Sequence, residues 1–457
     1  MTIAAELARH VTRFRYEDLP AQAVDHACMM IASTLASAAA GQSIRSTQVV
    51  QALVKEQGGT PEASLWFDRG DKLPAVNAAR ANALASDAAA SDDSDLRTIA
   101  HLGTQLTSCT LALAERNGAS GKDVLTAMIP AYELAGRIAA SIMPGYRNQG
   151  FHGSLCVIFA SAAASGRMLR LNEQQMAQAI VSAAVSMGGL GTAADTSEAR
   201  EYFAGNAALL GMNAALAAQK GYVVEENIFE TRKGFFEVYG GKDADVDSVT
   251  RDWGKEWDIV TDMAIKLVPG GHPSHALGEA AANAARAGKV RADDVESIVV
   301  QQPLDAKRRI GPMKPPSHPK NLVEIAHTPA YFVAAGVADQ DFSWVHASAA
   351  KIKDPVIHGL IDKIKVGEPI TQEVDRYQHG ARVTIHTKGG NSHSSTVYAP
   401  RGSGATGIQW ADVDRKFHTL MPMAGTTKAS IDKALDLIHH FRDQPDVAAL
   451  IGCLRTA

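Results

Sequence analysis

Apolar residues recur at helical spacing through roughly the first 265 positions of the chain. Ile3, Leu7, Val11 and Phe14 lie three or four residues apart, which is the spacing of one face of an amphipathic helix. Prolines near the starts and glycines at the ends delimit the next apolar stretches. These signals predict helices at about Pro20–Ala40, Ser43–Gln57 and Asn206–Lys220.

The clearest helix start lies at Asn172. The Asn172 side chain can accept a hydrogen bond from the backbone three residues on, and Gln175 can reach back to it. Leu171 can pack against Met176 from the other side of this cap. The combination predicts a helix from about Asn172 to Ser186.

After Lys266 the pattern changes to short β-branched runs separated by turn residues. Two of these runs flank Gly389 and Gly390, which predicts a β-hairpin. The predicted strands are Val295–Val300, Asp362–Val366, Arg382–His386 and Ser394–Tyr398, with helices at about Pro273–Ala287 and Ala330–Ala338. A helical pattern returns at about Trp410–Leu450. The sequence therefore predicts a mainly α protein, in which a large all-helical domain (1–266 plus 402–457) carries an inserted, smaller α+β domain (267–401).

Composition narrows the class of protein. The chain has 457 residues, 46% of them hydrophobic and 21% charged, which is ordinary for a globular protein and excludes a disordered chain. A formal charge of −4 provides no overall basic surface for nucleic acid. The four cysteines are far apart in apolar contexts, so we expect buried free thiols. The N-terminus lacks a signal-peptide layout and no apolar run is long enough to span a bilayer, so we expect a cytoplasmic protein without a membrane partner.

Polar clusters interrupt the apolar pattern and are the candidates for chemistry. The acidic segment Ser91–Asp95, followed by His101, could cap the next helix or bind a hard cation. The segment Tyr146–Ser154 places His152 between two apolar helices. A histidine there is suited to general acid or base chemistry because its pKa lies near neutrality. A structural role for it also remains open.

Two further clusters carry cations. Arg200 offers a planar fork that matches a carboxylate, although it could instead form a surface ion pair. Lys266, His272 and His275 lie within ten residues at the predicted domain boundary, where core packing explains them poorly and ligand sites are common. The sequence contains no P-loop, no HExxH metal motif and no strand–helix Gly-x-Ser-x-Gly elbow.

Taken in order along the chain, these clusters resemble the MmgE/PrpD family, which includes 2-methylcitrate dehydratase, cis-aconitate decarboxylase and iminodisuccinate epimerase. The resemblance covers nearly the whole chain and is clearest at Gly150–His152, Ala204–Ala208, Gly234–Gly240 and Lys266–His275. It implies a helical domain built from both chain ends, a smaller α+β lid domain, an active site between them and a homodimer. It also implies chemistry on small polycarboxylates without a metal or another cofactor.

With the resemblance, the clusters predict specific site residues. The predicted catalytic residues are His101, His152, Lys266 and His275, and the predicted substrate-binding residues are Asp93, Asp95, Tyr146, Arg200 and His272. Asp93 and Asp95 are rival matches to one acidic position of the family. Phe203 stands where the family commonly has a histidine, and Arg200 where many members have lysine. These departures leave a different substrate or reaction open.

The predicted function is that of a lyase, most simply a hydro-lyase acting on a hydroxylated di- or tricarboxylate. The family's reactions place negative charge on a carbon next to a carboxylate, which preorganised cations stabilise. Arg200 and Lys266 would hold substrate carboxylates, and the histidines would transfer protons. An epimerase or isomerase, a decarboxylase and a non-catalytic carboxylate-binding protein remain as alternatives.

Overall fold

The computed structural model of the chain describes residues 1–186, 188–303 and 317–456. The described chain divides into two compact units, residues 1–263 with 413–457 and residues 264–412. The prediction of a mainly α protein is confirmed, since the structure is 60% helical.

Helices far outnumber strands along the described chain. In chain order the helices are α1 Ile3–Arg13, α2 Ala21–Gly41, α3 Arg45–Gln57, α4 Ala75–Ala88, α5 Leu102–Asn117, α6 Gly121–Ser141, α7 Gly145–Asn148, α8 Ser154–Met168, α9 Glu173–Ala184, α10 Gly191–Thr196, α11 Ala199–Gln219, α12 Asp258–Thr261, α13 His272–Gly288, α14 Leu322–Ala326, α15 Pro329–Asp339, α16 Ala349–Ile352, α17 Pro355–Ile361, α18 Trp410–Leu420, α19 Lys428–His439 and α20 Ala448–Cys453. The strands are β1 Ala63–Ser64, β2 Lys72–Leu73, β3 Asp93–Asp95, β4 Met263–Ile265, β5 Val295–Gln301, β6 Ile364–Val366, β7 Ala381–Thr387 and β8 Ser392–Val397.

Small residues bring the helices of the first unit close together. Helix α11 packs against α4, α8 and α9, and α2 packs against α4. A Cβ added at Gly211 would overlap Ser161 and the carbonyl of Ile158 in α8, and one at Gly41 would overlap the carbonyl of Ala85 in α4. Glycine is therefore needed where these helix backbones meet. This close packing is what brings distant polar residues of α4, α5 and α11 into one neighbourhood.

Two helix starts test the sequence signals. The predicted cap is confirmed, because the Gln175 N–H donates to the Asn172 side chain at 2.9 Å and the Asn172 N–H donates to the Gln175 side chain at 3.2 Å. The predicted start of α11 at Asn206 is wrong, since the helix begins at Ala199. Gly205 lies inside this helix and not before it. A Cβ there would come within 3.0 Å of the Arg80 carbonyl oxygen, so this glycine serves packing.

The second unit is an α+β structure around one sheet. Its four strands have the order β6-β5-β7-β8, with β5 and β6 parallel and the other neighbours antiparallel. The predicted hairpin is confirmed by β7 and β8, which pair from Ala381 with Val397 to His386 with Ser392. Helices α13 and α15 pack against each other, and α13 also packs on β7 and β8. Lys266, His272 and His275 lie in this unit.

The expectation that no apolar run is long enough to span a bilayer is wrong for α2, which is the one described helix long and apolar enough to cross a membrane. Within the structure, 94% of its apolar window is buried, and the core helix of a globular protein shows the same pattern. All four cysteines are buried and unbridged, as predicted.

His10 makes the stability of the first unit sensitive to acid. Burial, with smaller contributions from Arg13 and Arg9, lowers its pKa from 6.5 to about 4, and its ring stacks on Trp253 at a centroid distance of 4.9 Å. The unfolded chain therefore binds more protons than the folded one between about pH 6.5 and 4, so stability falls as the pH falls through that window.

We expect His10→Phe, which keeps the stacking and removes the titration, to weaken the dependence of Tm on pH between pH 6.5 and 4. Thermal unfolding of both proteins across this range measures the effect. The exposed His440 (side chain 64% exposed) provides the control, and His440→Phe should leave the slope as in the unchanged protein. Equal slopes for His10→Phe and the unchanged protein would contradict this account.

Candidate active site

The carboxylate of Asp92 and the ring of His101 form a buried pair between α4 and α5. Asp92 is fully buried, accepts a hydrogen bond from the Thr104 hydroxyl at 3.0 Å and lies 3.1 Å from His101 Nδ1. The same Nδ1 lies 2.8 Å from the carbonyl oxygen of Asp93. Because a carbonyl oxygen can only accept, Nδ1 carries the proton, and the neutral ring has its lone pair on Nε2. His101 is therefore oriented as a base.

Asp93 caps helix α5. Its carboxylate accepts the Gly103 N–H at 2.9–3.0 Å and lies 3.3 Å from the Tyr132 hydroxyl. Burial, together with the Asp93 charge, raises the pKa of Tyr132 well above its ordinary value, so this tyrosine donates a hydrogen bond and does not ionise. A carboxylate at a helix N-terminus is favoured by the unpaired N–H groups there. The sequence left open whether the acidic segment caps a helix or binds a cation, and the contacts of Asp93 are those of a helix cap.

Asp95 belongs to a different group of charges. Its carboxylate binds the Arg97 side chain at 2.6 Å through Nη2 and 3.2 Å through Nε, and Arg97 also pairs with Asp258 and Asp262. Burial alone would lower the Arg97 pKa, but the surrounding carboxylates raise it above its ordinary value. Asp93 and Asp95, rivals in the sequence, thus have separate sets of partners. Their predicted contact with substrate stays a prediction.

Arg200, at the start of α11, reaches the end of α4. Its Nε donates to the Asp87 carboxylate at 2.8 Å, and its Nη2 donates to the carbonyl oxygens of Asp87 and Ala88 at 2.8 and 3.3 Å. Burial alone would lower its pKa, but the charges of Asp87, Glu201 and Asp92 raise it. Arg200 is mostly buried (side chain 14% exposed), so these contacts are not those of a surface ion pair. Its predicted binding of a substrate carboxylate stays a prediction.

The two pairs adjoin. Asp87, Asp92 and His101 each offer one ligand atom, and these atoms lie within 4.8 Å of one another. That donor set could hold a divalent cation, yet the Asp87 carboxylate already faces the fixed positive charge of Arg200. The arrangement is a buried group of two carboxylates and one guanidinium, with an imidazole at its edge.

The neutral ring of His152 carries its proton on the opposite nitrogen from that of His101. The Ser154 N–H donates to His152 Nδ1 at 3.2 Å, and the His152 backbone N–H donates to the Gly189 carbonyl at 2.8 Å. Because Nδ1 accepts, the neutral ring carries its proton on Nε2. The Phe203 ring lies 6.0 Å from the His152 ring, measured between centroids. His152 is therefore oriented as a proton donor beside an apolar wall.

The loop that carries His152 packs against the segment that leads into His101. The Tyr146 hydroxyl donates to the Thr98 carbonyl at 3.0 Å, and a Cβ added at Gly153 would lie 3.7 Å from the same carbonyl oxygen. Burial raises the pKa of Tyr146 to about 12, so its hydroxyl keeps its proton. Tyr146 therefore links the two histidine-bearing loops. Its predicted role in binding substrate stays a prediction.

The predicted residues of the second unit surround the start of α13. His272 and His275 are buried, with ring centroids 4.8 Å apart, and Lys266 is 2% exposed. His275 lines a small cavity with Glu279 and Arg401. Burial raises the pKa of Glu279, although the Arg401 N–H and charge oppose the rise. The structure thus brings His272 and His275 together and places Lys266 in the same unit.

Sequence reasoning missed two residues of the first unit that shape this site. Asp87 is 1% exposed and lies in the alanine-rich helix α4. A carboxylate within such an apolar helix signals a buried charge that needs a partner, and this signal could have identified it. Thr104 is fully buried and reaches Asp92 from α5, and a threonine in a helix gives no comparable signal.

Comparison with known proteins places the chain in a family. The model of the MmgE/PrpD N-terminal domain matches residues 5–247, and that of the MmgE/PrpD C-terminal domain matches residues 269–439. The chain is also 25% identical over 281 residues to a cis-aconitate decarboxylase-like protein of Aspergillus oryzae. This alignment covers 58% of this chain and 58% of that protein. Since the two family models together match most of its length, this chain belongs to the MmgE/PrpD family.

Proposed function

We propose that the protein is a lyase that acts on a small di- or tricarboxylate by removing a proton from the carbon next to a carboxylate. The observation that carries the proposal is that two histidines adopt opposite neutral tautomers. The ring proton of His101 is on Nδ1, which leaves Nε2 basic, and the ring proton of His152 is on Nε2. Elimination of water needs one base and one acid in the same site. Family membership and the named relative support this class of reaction.

In the proposed reaction His101 Nε2 takes the proton from the carbon next to a substrate carboxylate. This leaves a carbanion stabilised by the adjacent carboxylate. In a second step its electron pair forms the double bond as the hydroxyl on the neighbouring carbon leaves as water with the Nε2 proton of His152. The His152 ring regains a proton from solvent, and His101 releases its proton to solvent. Asp92 stabilises the imidazolium that forms at His101, because its carboxylate lies 3.1 Å from Nδ1. Lys266 and His275 remain predicted catalytic residues, and His272 remains a predicted binding residue. Substitution of each residue in turn would test its role.

Incubation of the purified protein with a panel of di- and tricarboxylates in D₂O, followed by proton NMR, tests the proposal. A new vinyl signal with loss of water from the substrate is the expected result. A vinyl product that has lost CO₂ would make the protein a decarboxylase instead. Exchange of a C–H for deuterium with a diastereomer appearing would make it an epimerase. Ligand binding without any turnover would contradict the proposal and favour a carboxylate-binding protein.

The Asp92–His101 pair gives a sharper prediction. Asp92→Asn should lower kcat by roughly 10- to 1,000-fold. The corresponding change in a serine-protease triad costs about 10⁴-fold, and the Asp93 carbonyl remains here to hold Nδ1–H in place.

Steady-state kinetics of the Asp92→Asn protein check this expectation. Asp436→Asn is a matched control, since this aspartate lies in the same unit and its side chain is 74% exposed. The control should retain the activity of the unchanged protein. An unaltered kcat for Asp92→Asn would remove Asp92 from the account.

A further inference from the structure

Lys416 is a buried cation supplied by the C-terminal part of the first unit. It lies in α18 and is 3% exposed. Its ammonium donates to the Ser33 hydroxyl of α2 at 2.7 Å and to the carbonyl oxygen of Ser91. Burying an ammonium group is costly unless polar partners replace water. An apolar side chain at position 416 would avoid this cost of burial, yet the fold keeps a charged one there.

The carbonyl that Lys416 binds is the one immediately before Asp92. Ser91 is fully buried, and its hydroxyl also bonds to the hydroxyl of Ser37 in α2. The backbone at Ser91 is thus held on one side by the ammonium and on the other by α2. The next carboxylate along the chain is the one that lies against His101.

The charges around this point also favour a cation. Asp87, Asp92 and Glu201 are buried carboxylates in the same neighbourhood, and Arg200 lies within 2.8 Å of Asp87 and 3.9 Å of Glu201. A second positive charge at the Ser91 carbonyl, one residue before Asp92, offsets part of the mutual repulsion of these carboxylates.

We propose that Lys416 is a positioning residue for the reaction: its ammonium holds the Ser91 carbonyl and thereby fixes the Asp92 carboxylate against Nδ1 of His101. The inference rests on the proposed function, in which His101 is the base. It implies that the C-terminal residues, far from the acidic loop in sequence, take part in orienting the catalytic ring.

Lys416→Met tests the inference by removing the charge while keeping most of the length of the side chain. We expect kcat to fall at least 10-fold with KM changed less than about 3-fold, because the substrate contacts are untouched. Lys433→Met is the control, since Lys433 is an exposed lysine on α19, and it should leave both constants unchanged. If Lys416→Met does not fold, Lys416→Gln replaces it. Its amide is an uncharged donor on a shorter side chain, so kcat should again fall with little change in KM, but by a smaller factor than in Lys416→Met.

A double-mutant cycle with Asp92→Asn separates positioning from general support of the fold. If Lys416 acts through Asp92, Lys416→Met should have little further effect on kcat in the Asp92→Asn background. Multiplicative losses would overturn the inference. A lower Tm with unchanged kcat at a temperature where the variant is folded would overturn it as well.

The nitrogen resonances of the His101 ring provide a readout that does not require turnover. In the unchanged protein they should report the ring proton on Nδ1, and Lys416→Met should shift the Nδ1 resonance because the Asp92 carboxylate no longer lies against that nitrogen. A changed pattern in a protein with no activity on any tested carboxylate would support the positioning role and contradict the proposed function. An unchanged pattern would overturn the positioning role itself.

Discussion

His101→Asn is expected to lower kcat/KM by about 10²–10⁴-fold, the usual contribution of a positioned general base. The asparagine amide can replace Nδ1–H as the donor to Asp92 and to the Asp93 carbonyl, which lie 3.1 and 2.8 Å from that nitrogen. It has no counterpart of Nε2, so the base is lost while the local hydrogen bonds are retained. Steady-state kinetics, with Tm measured alongside, test this prediction.

The isosteric change matters because His101 is mostly buried, with its side chain 11% exposed. Alanine would leave Asp92 without this partner, and an unsatisfied buried polar group costs about 1–3 kcal/mol. His418→Asn is the matched control, since this histidine lies in the same unit and its side chain is 47% exposed. If His101→Asn turns over at nearly the original rate with an unchanged Tm, His101 is not the base.

His152→Ala is expected to lower kcat by a similar factor of about 10²–10⁴. The ring accepts one hydrogen bond from the Ser154 N–H at Nδ1 and is half-buried, so its removal should cost little stability. His152→Gln separates binding from proton transfer, because its amide can donate a hydrogen bond from the place of Nε2 but does not release a proton. We expect it to keep KM near the original value while kcat stays low.

Kinetics of both His152 variants, compared with an exposed histidine changed to alanine, measure this effect. His440→Ala is suitable, because the His440 side chain is 64% exposed. Recovery of kcat in His152→Gln would show that His152 binds substrate and does not protonate the leaving group. Near-normal turnover in His152→Ala would exclude it from the reaction altogether.

Local features of the fold could be predicted from the sequence because their causes lie within a few residues. The Asn172 cap depends on side chains three residues apart, and the β7–β8 hairpin depends on one short turn; the structure confirms both. The start of α11 was predicted wrongly at Asn206, and Gly205 lies inside that helix. The reason for that glycine is the carbonyl of Arg80 in a neighbouring helix, which no local pattern reveals.

The candidate site could be predicted only in part. The polar clusters and the family resemblance identified His101, His152 and Arg200 as candidates, but not the partners that orient them. Asp87 is 113 residues from Arg200, and Lys416 is 325 residues from Ser91. Such pairs form only when close helix packing brings distant positions together, so their existence follows from the fold and not from spacing in the chain.

The separate contacts of Asp93 and Asp95 show the same limit. In the sequence they are equivalent carboxylates two residues apart in one acidic segment. In the structure Asp93 binds the N-terminus of α5 and Tyr132, whereas Asp95 binds Arg97. The surroundings of each carboxylate depend on which helix and which cation pack beside its end of strand β3, and the spacing of the two residues does not reveal that.

The central claim is that His101 acts as the base and His152 as the acid. The most direct test is to follow, in D₂O and with a substrate found in the panel, both the exchange of the substrate C–H and the formation of product. We predict that His152→Ala continues to exchange the proton while forming little product, and that His101→Asn does neither. Exchange that persists in His101→Asn would contradict the assignment, most clearly if the same exchange disappears in His152→Ala.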